Sequence, residues 1–471
     1  MDIPLTIRQT QKALFEKRFS MVELVDAYFA RIEKLDKALN SFLTLNKEEA
    51  YKKAKKVDGL ITDYGKEILK DKPLLGVTVA HKDLFLTKGL RTTAASKVLE
   101  YYIPAYSATV VARLNEAGCI ILGKTNCDAW AHGASGENSD YGPTINPWGK
   151  TYVPGGSSSG SATAVAASFS LIATGTDTGG SVRQPANFCG VYGLKPTYGA
   201  VSRYGIVAMA SSVDSVGHFA RTVSDIEKIF DITKGEDGKD GTVKNSKLKT
   251  QNSKLKIGVP KEYFVKGLDK EVEKAVLQAT VTFKKKGIEV VGISLPHTKY
   301  AISVYYIIQP AEVSSNLSRY DGIRYGNERD AFGDEAKRRI MLGTYVLSSG
   351  YYDAYYLKAQ KVRTKIIEDF EKVFDPSNGG VDAIIAPVSP TAAFKLGEKS
   401  LDPLKMYLAD VYTVAANVAG IPGLSVPSGF TRKGLPLGFQ LMGPRYSERI
   451  LFKLGNIYEK ATNAKPQVAL E

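Results

Sequence analysis

Cysteine and histidine are scarce in this sequence, which limits the chemistry that it can support. Among 471 residues there are three cysteines and four histidines. An odd and widely spaced set of cysteines argues against a disulfide framework and against a zinc site, and it suits a reducing compartment. We therefore expect a cytoplasmic protein without either feature. The cysteines are Cys119, Cys127 and Cys189.

Long apolar runs are also missing. The most apolar stretch, residues 161–175, is rich in small side chains and is too short to span a bilayer. The first four residues do not begin a basic region followed by an apolar one, so we expect no signal peptide. We identify no phosphate-binding loop, so any ATP-dependent step is expected on another chain.

The balance of charge is basic. The sequence has 63 lysines and arginines against 49 aspartates and glutamates, a formal net charge of +14. An excess of this sign favours anionic partners such as RNA. No arginine-rich run or RNA-binding motif accompanies it, so a lysine-rich, solvated surface is the simpler interpretation.

Hydrophobic periodicity predicts a helical N-terminal segment, about residues 1–65, followed by alternating strands and helices. Ser20 and Glu23 have the spacing of a capping box, and an apolar face at helical spacing follows them. Such alternation is typical of an α/β sheet with helices on its faces. The predicted strands are 75–80, 119–122, 171–174, 255–259, 288–293 and 381–386. The predicted helices are 47–63, 108–117, 161–168, one that begins near 270, 351–374 and 449–461.

Residues 235–254 differ from their surroundings. They are polar and rich in lysine, glycine and aspartate, and the sequence Asn-Ser-Lys-Leu-Lys occurs at 245–249 and again at 252–256. We interpret 235–254 as a surface linker. Neither side looks complete alone, so we predict one domain over 1–471, with a catalytic core at about 70–230 and the remainder at 255–471.

The most unusual pattern is a glycine-rich turn that ends in a serine. In residues 178–181, the Ser181 hydroxyl directly follows two glycines. Glycines let the backbone approach a ligand closely, and consecutive N–H groups can form an oxyanion hole. The predicted hole consists of the backbone amides of Thr178, Gly179, Gly180 and Ser181. A turn with an incidental serine is the alternative.

A serine nucleophile needs a base, and Lys82 is the best candidate. None of the histidines (His81, His132, His218 and His297) stands in an obvious hydrolase context. Lys82 follows the predicted strand 75–80 and should project from its end into a cleft. It can act as a base only if desolvation lowers its pKa from about 10.4 toward neutrality. Ser–Lys pairs are a known variant of triad chemistry, and an exposed loop lysine is the alternative.

A second serine arrangement has to be weighed. Residues 156–160 match the G-x-S-x-G elbow of α/β-hydrolases, which would make Ser158 the nucleophile and a histidine the base. Pro154 and Gly155 form a poor strand end, and no histidine is well placed. We therefore disfavour an α/β-hydrolase esterase.

Taken together, these motifs resemble the amidase signature family. The resemblance rests on residues 156–158 (GSS), 178–183 (TGGSVR) and the segment from 75–77 (LGV) to Lys82 and Asp83. It implies an α/β fold with a single large mixed β-sheet flanked by helices. It also implies a catalytic triad of Lys82, Ser157 on a cis peptide bond, and the nucleophile Ser181.

Four further segments resemble one group within this family, the glutamine-hydrolysing subunits of tRNA-dependent amidotransferases. They are residues 123–126, 314–322, 338–344 and 347–356. The resemblance implies that Arg339, Asp410 and Tyr305 hold glutamine. An arginine can clamp the α-carboxylate, and an aspartate can pair with the α-ammonium. Surface ion pairing is the alternative for Arg339 and Asp410.

The same resemblance implies partners. Ammonia would pass to a B subunit, which uses ATP and Mg²⁺ to amidate Glu-tRNA(Gln) and, in some members, Asp-tRNA(Asn), and a small C subunit would complete a heterotrimer. We expect no cofactor and no metal in this chain. A stand-alone amidase of the same family is the alternative, but an apolar amide would leave the charges of Arg339 and Asp410 unpaired.

Overall fold

The N-terminal helices and their cap form as predicted. The computed structural model describes residues 2–245, 254–320, 322, 326–400 and 402–470. The Ser20 hydroxyl accepts from the Glu23 N–H, and the Glu23 carboxylate accepts from the Ser20 N–H, which confirms the capping box. The helices are α1 (Ile7–Phe15), α2 (Met21–Leu39), α3 (Lys47–Tyr64), α4 (Thr109–Glu116), α5 (Ser159–Ala166), α6 (Arg183–Cys189), α7 (Val223–Thr233), α8 (Lys270–Lys285), α9 (Ala301–Leu317), α10 (Asp334–Leu347), α11 (Lys358–Phe374), α12 (Pro403–Tyr407), α13 (Val414–Ala419) and α14 (Glu448–Thr462).

The described residues form one 11-stranded sheet in the order β1-β3-β2-β4-β6-β5-β10-β11-β9-β7-β8. Strand β2 is parallel to β3 and β4, strand β7 is parallel to β8 and β9, and the other pairs are antiparallel. The predicted single mixed sheet is confirmed. The strands are β1 (Phe42–Leu45), β2 (Thr78–Lys82), β3 (Ile120–Thr125), β4 (Ile172–Asp177), β5 (Tyr192–Lys195), β6 (Ser215–Ala220), β7 (Lys256–Pro260), β8 (Glu289–Ile293), β9 (Ala383–Pro387), β10 (Gly423–Phe430) and β11 (Pro436–Met442).

Three large apolar clusters cover the two faces of the sheet in the described residues. Side chains alternate along a strand, so Val79 of β2 belongs to the first cluster and Ala80 to the second. The first cluster includes α4, α7 and α14, and the second includes α2 and α5. The third cluster includes α9, α11 and α13. None of the helices in the described ranges has the length and hydropathy that a membrane span requires.

The strand that carries Lys82 lies further along the chain than the apolar run 75–80 predicts. Gly76 has φ +77°, and a Cβ there would lie 2.5 Å from Cδ1 of Leu14, so the chain turns at this point before it enters the sheet. Strand β2 then runs over Thr78–Lys82. Lys82 is therefore the last residue of a fully buried strand rather than a residue of an exposed loop.

The first part of the predicted linker is anchored to the domain. Asp237 accepts a hydrogen bond from the Thr109 hydroxyl at 2.5 Å, and Asp240 forms an ion pair with Arg203 at 3.0 Å. Val243 is buried. Residues 235–245 therefore form a surface segment that is anchored to the same domain. Residues 246–253, with most of the predicted repeat, lie outside the described residues.

Residues 118–125 (GCIILGKT) match the G-x-x-x-x-G-K-[ST] pattern of a phosphate-binding loop, although we predicted no such loop from the sequence. The structure gives them another role. Residues 120–125 form β3, and the buried Lys124 pairs with Asp83 at 3.2 Å. A phosphate-binding loop needs a bent glycine-rich turn that leads into a helix. This segment is a strand and does not form one.

Candidate active site

The buried Lys82 ammonium nitrogen is surrounded by three hydroxyl groups. This Nζ donates to Oγ of Ser157 at 2.7 Å, to Oγ of Ser158 at 3.0 Å and to Oγ1 of Thr176 at 2.9 Å. Burial lowers the pKa of Lys82 to about 8 because it disfavours the charged ammonium. A lysine with this pKa, hydrogen-bonded to a serine, can accept a proton from it.

Ser157 and Ser181 lie on two loops that are tied together. The peptide bond between Gly156 and Ser157 is cis, and the Ser158 N–H donates to the Ser181 carbonyl at 3.2 Å. Lys82 and Ser157 are fully buried, whereas 8% of Ser181 is exposed, so Ser181 is the member of the predicted triad that a substrate can reach. Among the described residues, no hydrogen bond joins the Ser157 and Ser181 hydroxyls.

A buried ion pair holds the loop that carries Ser181, residues 177–183. Asp177 and Arg183 are fully buried, and Oδ2 of Asp177 lies 3.1 Å from Nε of Arg183. The Asp177 carboxylate also accepts from the N–H groups of Gly180 at 2.9 Å and Val182 at 3.2 Å. Burial alone would raise the pKa of Asp177, but the charge of Arg183 lowers it to about 2, so the carboxylate stays ionised.

The C-terminal part of the chain supports the same loop. Asn417 donates to Oδ1 of Asp177 at 2.9 Å, and Gln440 accepts from Nη1 of Arg183 at 2.8 Å. The Thr413 hydroxyl donates to the Gly179 carbonyl at 2.6 Å. These contacts fix the backbone next to Ser181, which a preorganised oxyanion hole requires.

The structure narrows the predicted oxyanion hole. The Gly180 N–H is already bonded to Asp177, so the protein itself uses one of the four predicted amides. The amides of Thr178, Gly179 and Ser181 donate to no residue that the structure describes. A Cβ on Gly179 would lie 3.0 Å from the Tyr305 hydroxyl oxygen, so glycine lets Tyr305 approach this backbone.

We expect Arg183→Met to destabilise the protein strongly. The substitution leaves the Asp177 carboxylate buried without its cation, which costs about 3–5 kcal/mol when one partner of a buried pair is removed. The measurement is the midpoint of urea unfolding. Asp177→Asn combined with Arg183→Met should lose less stability than the two single variants added together. Equal unfolding midpoints for Arg183→Met and the wild type would contradict this prediction.

Arg339 is buried on α10 and is held by two neighbours. Its Nε donates to Glu335 at 2.8 Å and its Nη1 to Gln309 at 2.8 Å. Only 3% of Arg339 is exposed, so it is not a surface ion pair. Its Nη2 atom donates to none of the described residues and is available to a ligand. The rings of Tyr306 and Tyr407 lie 5.5 and 5.6 Å from its guanidinium carbon.

Asp410 and Tyr305 lie near Arg339. The Asp410 carboxylate is buried, yet it accepts a hydrogen bond from no residue in the described ranges. Burial raises the pKa of Asp410 well above its usual range, and the charge of Arg339 opposes that shift. Both charges also act on the buried Tyr305 hydroxyl, which contacts Gly179. The three predicted binding residues are therefore neighbours, and Tyr305 connects them to the loop of Ser181.

A cleft of about 410 Å³ opens beside these residues, and Arg339 lines it. Residues 133–135 form part of one wall, and they lead to Gly156: a Cβ on Gly156 would lie 2.8 Å from the Ser135 nitrogen. Tyr306, the residue after Tyr305, also lines the cleft. The cleft therefore lies next to the loop of Ser157, through residues 133–135, but residues 156–158 and 178–183 are not among those that line it. Tyr305 and Asp410 are not among the residues that line it.

The α/β-hydrolase interpretation is wrong. The residues before Ser158 form an irregular loop instead of a strand, and Ser158 is fully buried against Lys82. His81 and His218 are buried and hydrogen-bonded to Thr174 and Thr233, and His297 pairs with Asp369. His132 contacts none of the three serines through a hydrogen bond. A histidine base for Ser158 is therefore missing among the described residues.

Sequence reasoning missed several residues that shape the site. Asp177 and Arg183 flank the glycine turn and pair across it, and Arg183 stands in the motif 178–183 without having been given a role. Asp128 supports the Ser157 loop: a Cβ on Gly156 would lie 2.0 Å from its Oδ2, and burial raises the pKa of Asp128 to about 6. Thr176 also escaped notice, because a threonine within a strand has no distinctive pattern.

Comparisons with known proteins agree with this geometry. The family model named Amidase matches residues 23–452. The A subunit of glutamyl-tRNA(Gln) amidotransferase from Geobacter metallireducens is 49% identical over 97% of this chain and 97% of its own length. The crystal structure of the corresponding A subunit from Thermotoga maritima matches with a TM-score of 0.82 and 40% identity, over 98% of this chain and 96% of that one. The peptide amidase of Stenotrophomonas maltophilia matches with a TM-score of 0.83 and 28% identity, over 99% of each chain. The chain belongs to the amidase family.

Proposed function

We propose that this chain is the glutamine-hydrolysing A subunit of a tRNA-dependent amidotransferase. One observation carries the proposal. The buried Lys82–Ser157 hydrogen bond occurs in the same molecule as a group of three neighbouring side chains, and the charges of this group suit a free amino acid. The three are Arg339, Asp410 and Tyr305. Relatives that match along nearly the whole chain are named as the A subunit of glutamyl-tRNA(Gln) amidotransferase, which supports the same function.

The proposed reaction begins with proton transfer. Neutral Lys82 takes a proton from Ser157, which takes one from Ser181 as the Ser181 oxygen attacks the side-chain amide carbon of glutamine. The amides of Gly179 and Ser181, with that of Thr178, stabilise the oxyanion. The proton returns through Ser157 to the leaving nitrogen, ammonia departs, and a γ-glutamyl ester remains on Ser181. Water then hydrolyses this ester by the same proton route.

Charge complementarity directs glutamine into the site. The α-ammonium would pair with Asp410, and a bound cation would lower the raised pKa of that carboxyl. The α-carboxylate would bind Nη2 of Arg339. An apolar amide would leave both charges without a partner, which is why we place a stand-alone amidase second.

The proposal includes partners. Ammonia would pass to a B subunit that uses ATP and Mg²⁺ to amidate Glu-tRNA(Gln), with Asp-tRNA(Asn) as the second candidate substrate. A small C subunit would complete the complex, and we place it in the cytoplasm. The test is to express the chain with candidate B and C subunits and to measure glutamine-dependent amidation of Glu-tRNA(Gln). Preferential hydrolysis of apolar amides, with no turnover of glutamine, would favour the stand-alone amidase instead.

We expect Arg339→Ala to raise KM for glutamine more than it lowers kcat. Hydrogen bonds to charged groups contribute about 1.5–3 kcal/mol, which corresponds to roughly 10- to 150-fold. The measurement is steady-state glutamine hydrolysis. Met341→Ala is the matched control, because Met341 lies on the same helix and is 72% exposed. Unchanged KM values in both Arg339→Ala and Asp410→Asn would remove the case for a glutamine pocket.

A further inference from the structure

We propose that His132 is a specificity-determining residue that binds the α-carboxylate of the amino-acid substrate together with Arg339. This inference rests on the proposed function and extends it, because it adds a ligand contact that the motifs did not indicate. It starts from a buried side chain that has no hydrogen-bond partner in the described residues.

His132 is fully buried, yet neither nitrogen of its ring has a hydrogen-bond partner in the part of the chain that the structure describes. Buried polar side chains are nearly always hydrogen-bonded, so an exception of this kind needs an explanation. The backbone of His132 is fixed, since its carbonyl accepts from Nδ2 of Asn138 at 2.7 Å. The two ring nitrogens are therefore the polar atoms of His132 that still need a hydrogen-bond partner.

The position of His132 indicates the missing partner. His132 lines the same cleft as Arg339, and the charge of Arg339 acts on its ring. The two residues before it, Trp130 and Ala131, have φ angles of 58° and 65°. Non-glycine residues adopt this left-handed region at a cost, and such conformations cluster at ligand sites. The backbone is thus constrained directly before a residue that lines the cleft.

Arg339 by itself is an incomplete carboxylate site. A guanidinium usually binds a carboxylate through two parallel N–H groups. In Arg339, Nε donates to Glu335 and Nη1 donates to Gln309, so these two nitrogens are already engaged by the protein. Nη2 can serve one oxygen. The second oxygen needs another donor from the wall of the cleft, and the ring N–H of His132 can supply it.

The ring is suited to donate without adding charge. Burial, assisted by the charge of Arg339, holds the pKa of His132 well below its usual range. The ring is therefore neutral and carries one N–H donor and one acceptor nitrogen. A neutral donor beside Arg339 avoids repulsion between two cations before substrate enters. The cleft is also lined by Glu137, Asp334 and Glu335, but Arg339 is the charged residue that acts on the His132 ring, so a carboxylate is favoured over an ammonium group beside that ring.

The test compares two substitutions of His132. His132→Met removes both nitrogens but keeps an apolar side chain of similar length, and His132→Gln restores a donor and an acceptor. We expect His132→Met to raise KM for glutamine roughly 10-fold or more with kcat within about twofold, because it removes a hydrogen bond to a charged group. His132→Gln should recover most of the loss. His297→Met is the control, because His297 pairs with Asp369 and does not line the cleft.

A second substrate identifies the end of the ligand that His132 contacts. Glutaminamide carries an uncharged amide in place of the α-carboxylate, so its kcat/KM should change little between the wild type and His132→Met. Binding of glutamine to the Ser181→Ala protein, with and without His132→Met, measures the same contact by calorimetry without turnover. Should His132→Met fail to fold by circular dichroism, His132→Asn and His132→Gln provide the comparison.

The outcomes separate the two proposals. No glutamine hydrolysis by the wild-type complex would overturn the proposed function. Glutamine hydrolysis with an unchanged KM and unchanged glutamine affinity in a folded His132→Met protein would overturn the role of His132 alone. An equal loss for glutamine and glutaminamide would also overturn it, because the carboxylate would then not be the group that His132 binds.

Discussion

Ser181→Ala is expected to abolish glutamine hydrolysis and the covalent γ-glutamyl intermediate. Removal of a serine nucleophile lowers kcat by about 10⁶-fold in a well-studied case, and only binding and oxyanion stabilisation then remain. Ser181 is the member of the predicted triad with the greatest exposure, 8%, and it follows the amides of Thr178 and Gly179, which donate to none of the described residues. The measurement combines glutamine turnover with mass spectrometry of acid-quenched protein, which detects the ester.

Two other serines make this prediction specific. Ser170→Ala should leave activity unchanged, because the Ser170 hydroxyl has no partner among the described residues and lies before β4, at the strand end away from Asp177. Ser158→Ala removes one of the three hydroxyls around Lys82 and should reduce the rate without removing the ester. Loss of the ester in Ser158→Ala together with its retention in Ser181→Ala would assign the nucleophile to Ser158.

Lys82→Arg should be nearly inactive even though it keeps the positive charge. Arginine stays protonated over the usable pH range and cannot accept the proton from Ser157. General-base catalysis contributes about 10²- to 10⁴-fold, so we expect a loss of at least this size. Lys82→Met, which is shorter than arginine and uncharged, should lose as much. The Lys82→Met variant is a control for size, because an arginine could lose activity simply by being too large for this fully buried position.

The wild-type pH profile tests the same base. The pKa of Lys82 is about 8, so the ammonium form dominates below that pH and the neutral, active form dominates above it. Activity should therefore rise with pH along a limb whose midpoint lies near this pKa. His297→Gln should keep this limb, since His297 lies outside the site. Substantial turnover by a folded Lys82→Arg protein would exclude the lysine-base mechanism.

The fold class was predicted correctly from the sequence, and the structure brings Lys82 and Ser157 together, but the residues that frame the site were not predicted. Strands β2, β3 and β4 were predicted from short apolar runs. The antiparallel strands β5, β6 and β10 were not, because glycine and polar residues interrupt them and most of their residues are buried, so neither alternation nor a continuous apolar run appears. Apolar alternation indicates a strand only where one face meets water.

Hydrogen bonds that form only in the folded chain account for the other omissions. The letters of 178–181 suggested four equivalent amides, but the Gly180 N–H is bonded to Asp177, which only the three-dimensional turn reveals. Arg339 was predicted to hold glutamine, but its hydrogen bonds to Glu335, one turn earlier on α10, and to Gln309 on α9 were not predicted. His132 was not selected because no histidine stands in an obvious hydrolase context, and burial without a partner cannot be deduced from sequence.

The support of the Ser181 loop by Thr413, Asn417 and Gln440 has a consequence for biosynthesis. All three predicted triad residues have left the ribosome long before Asn417 and Gln440, which follow Asp177 and Arg183 by 240 and 257 positions. Strand β5 likewise cannot form its hydrogen bonds with β10 until β10 has been synthesised. A nascent or prematurely terminated chain that stops before Thr413 therefore carries every group of the proton relay but lacks the frame that orients it. Hydrolytic competence should appear abruptly, when the C-terminal strands are translated and dock.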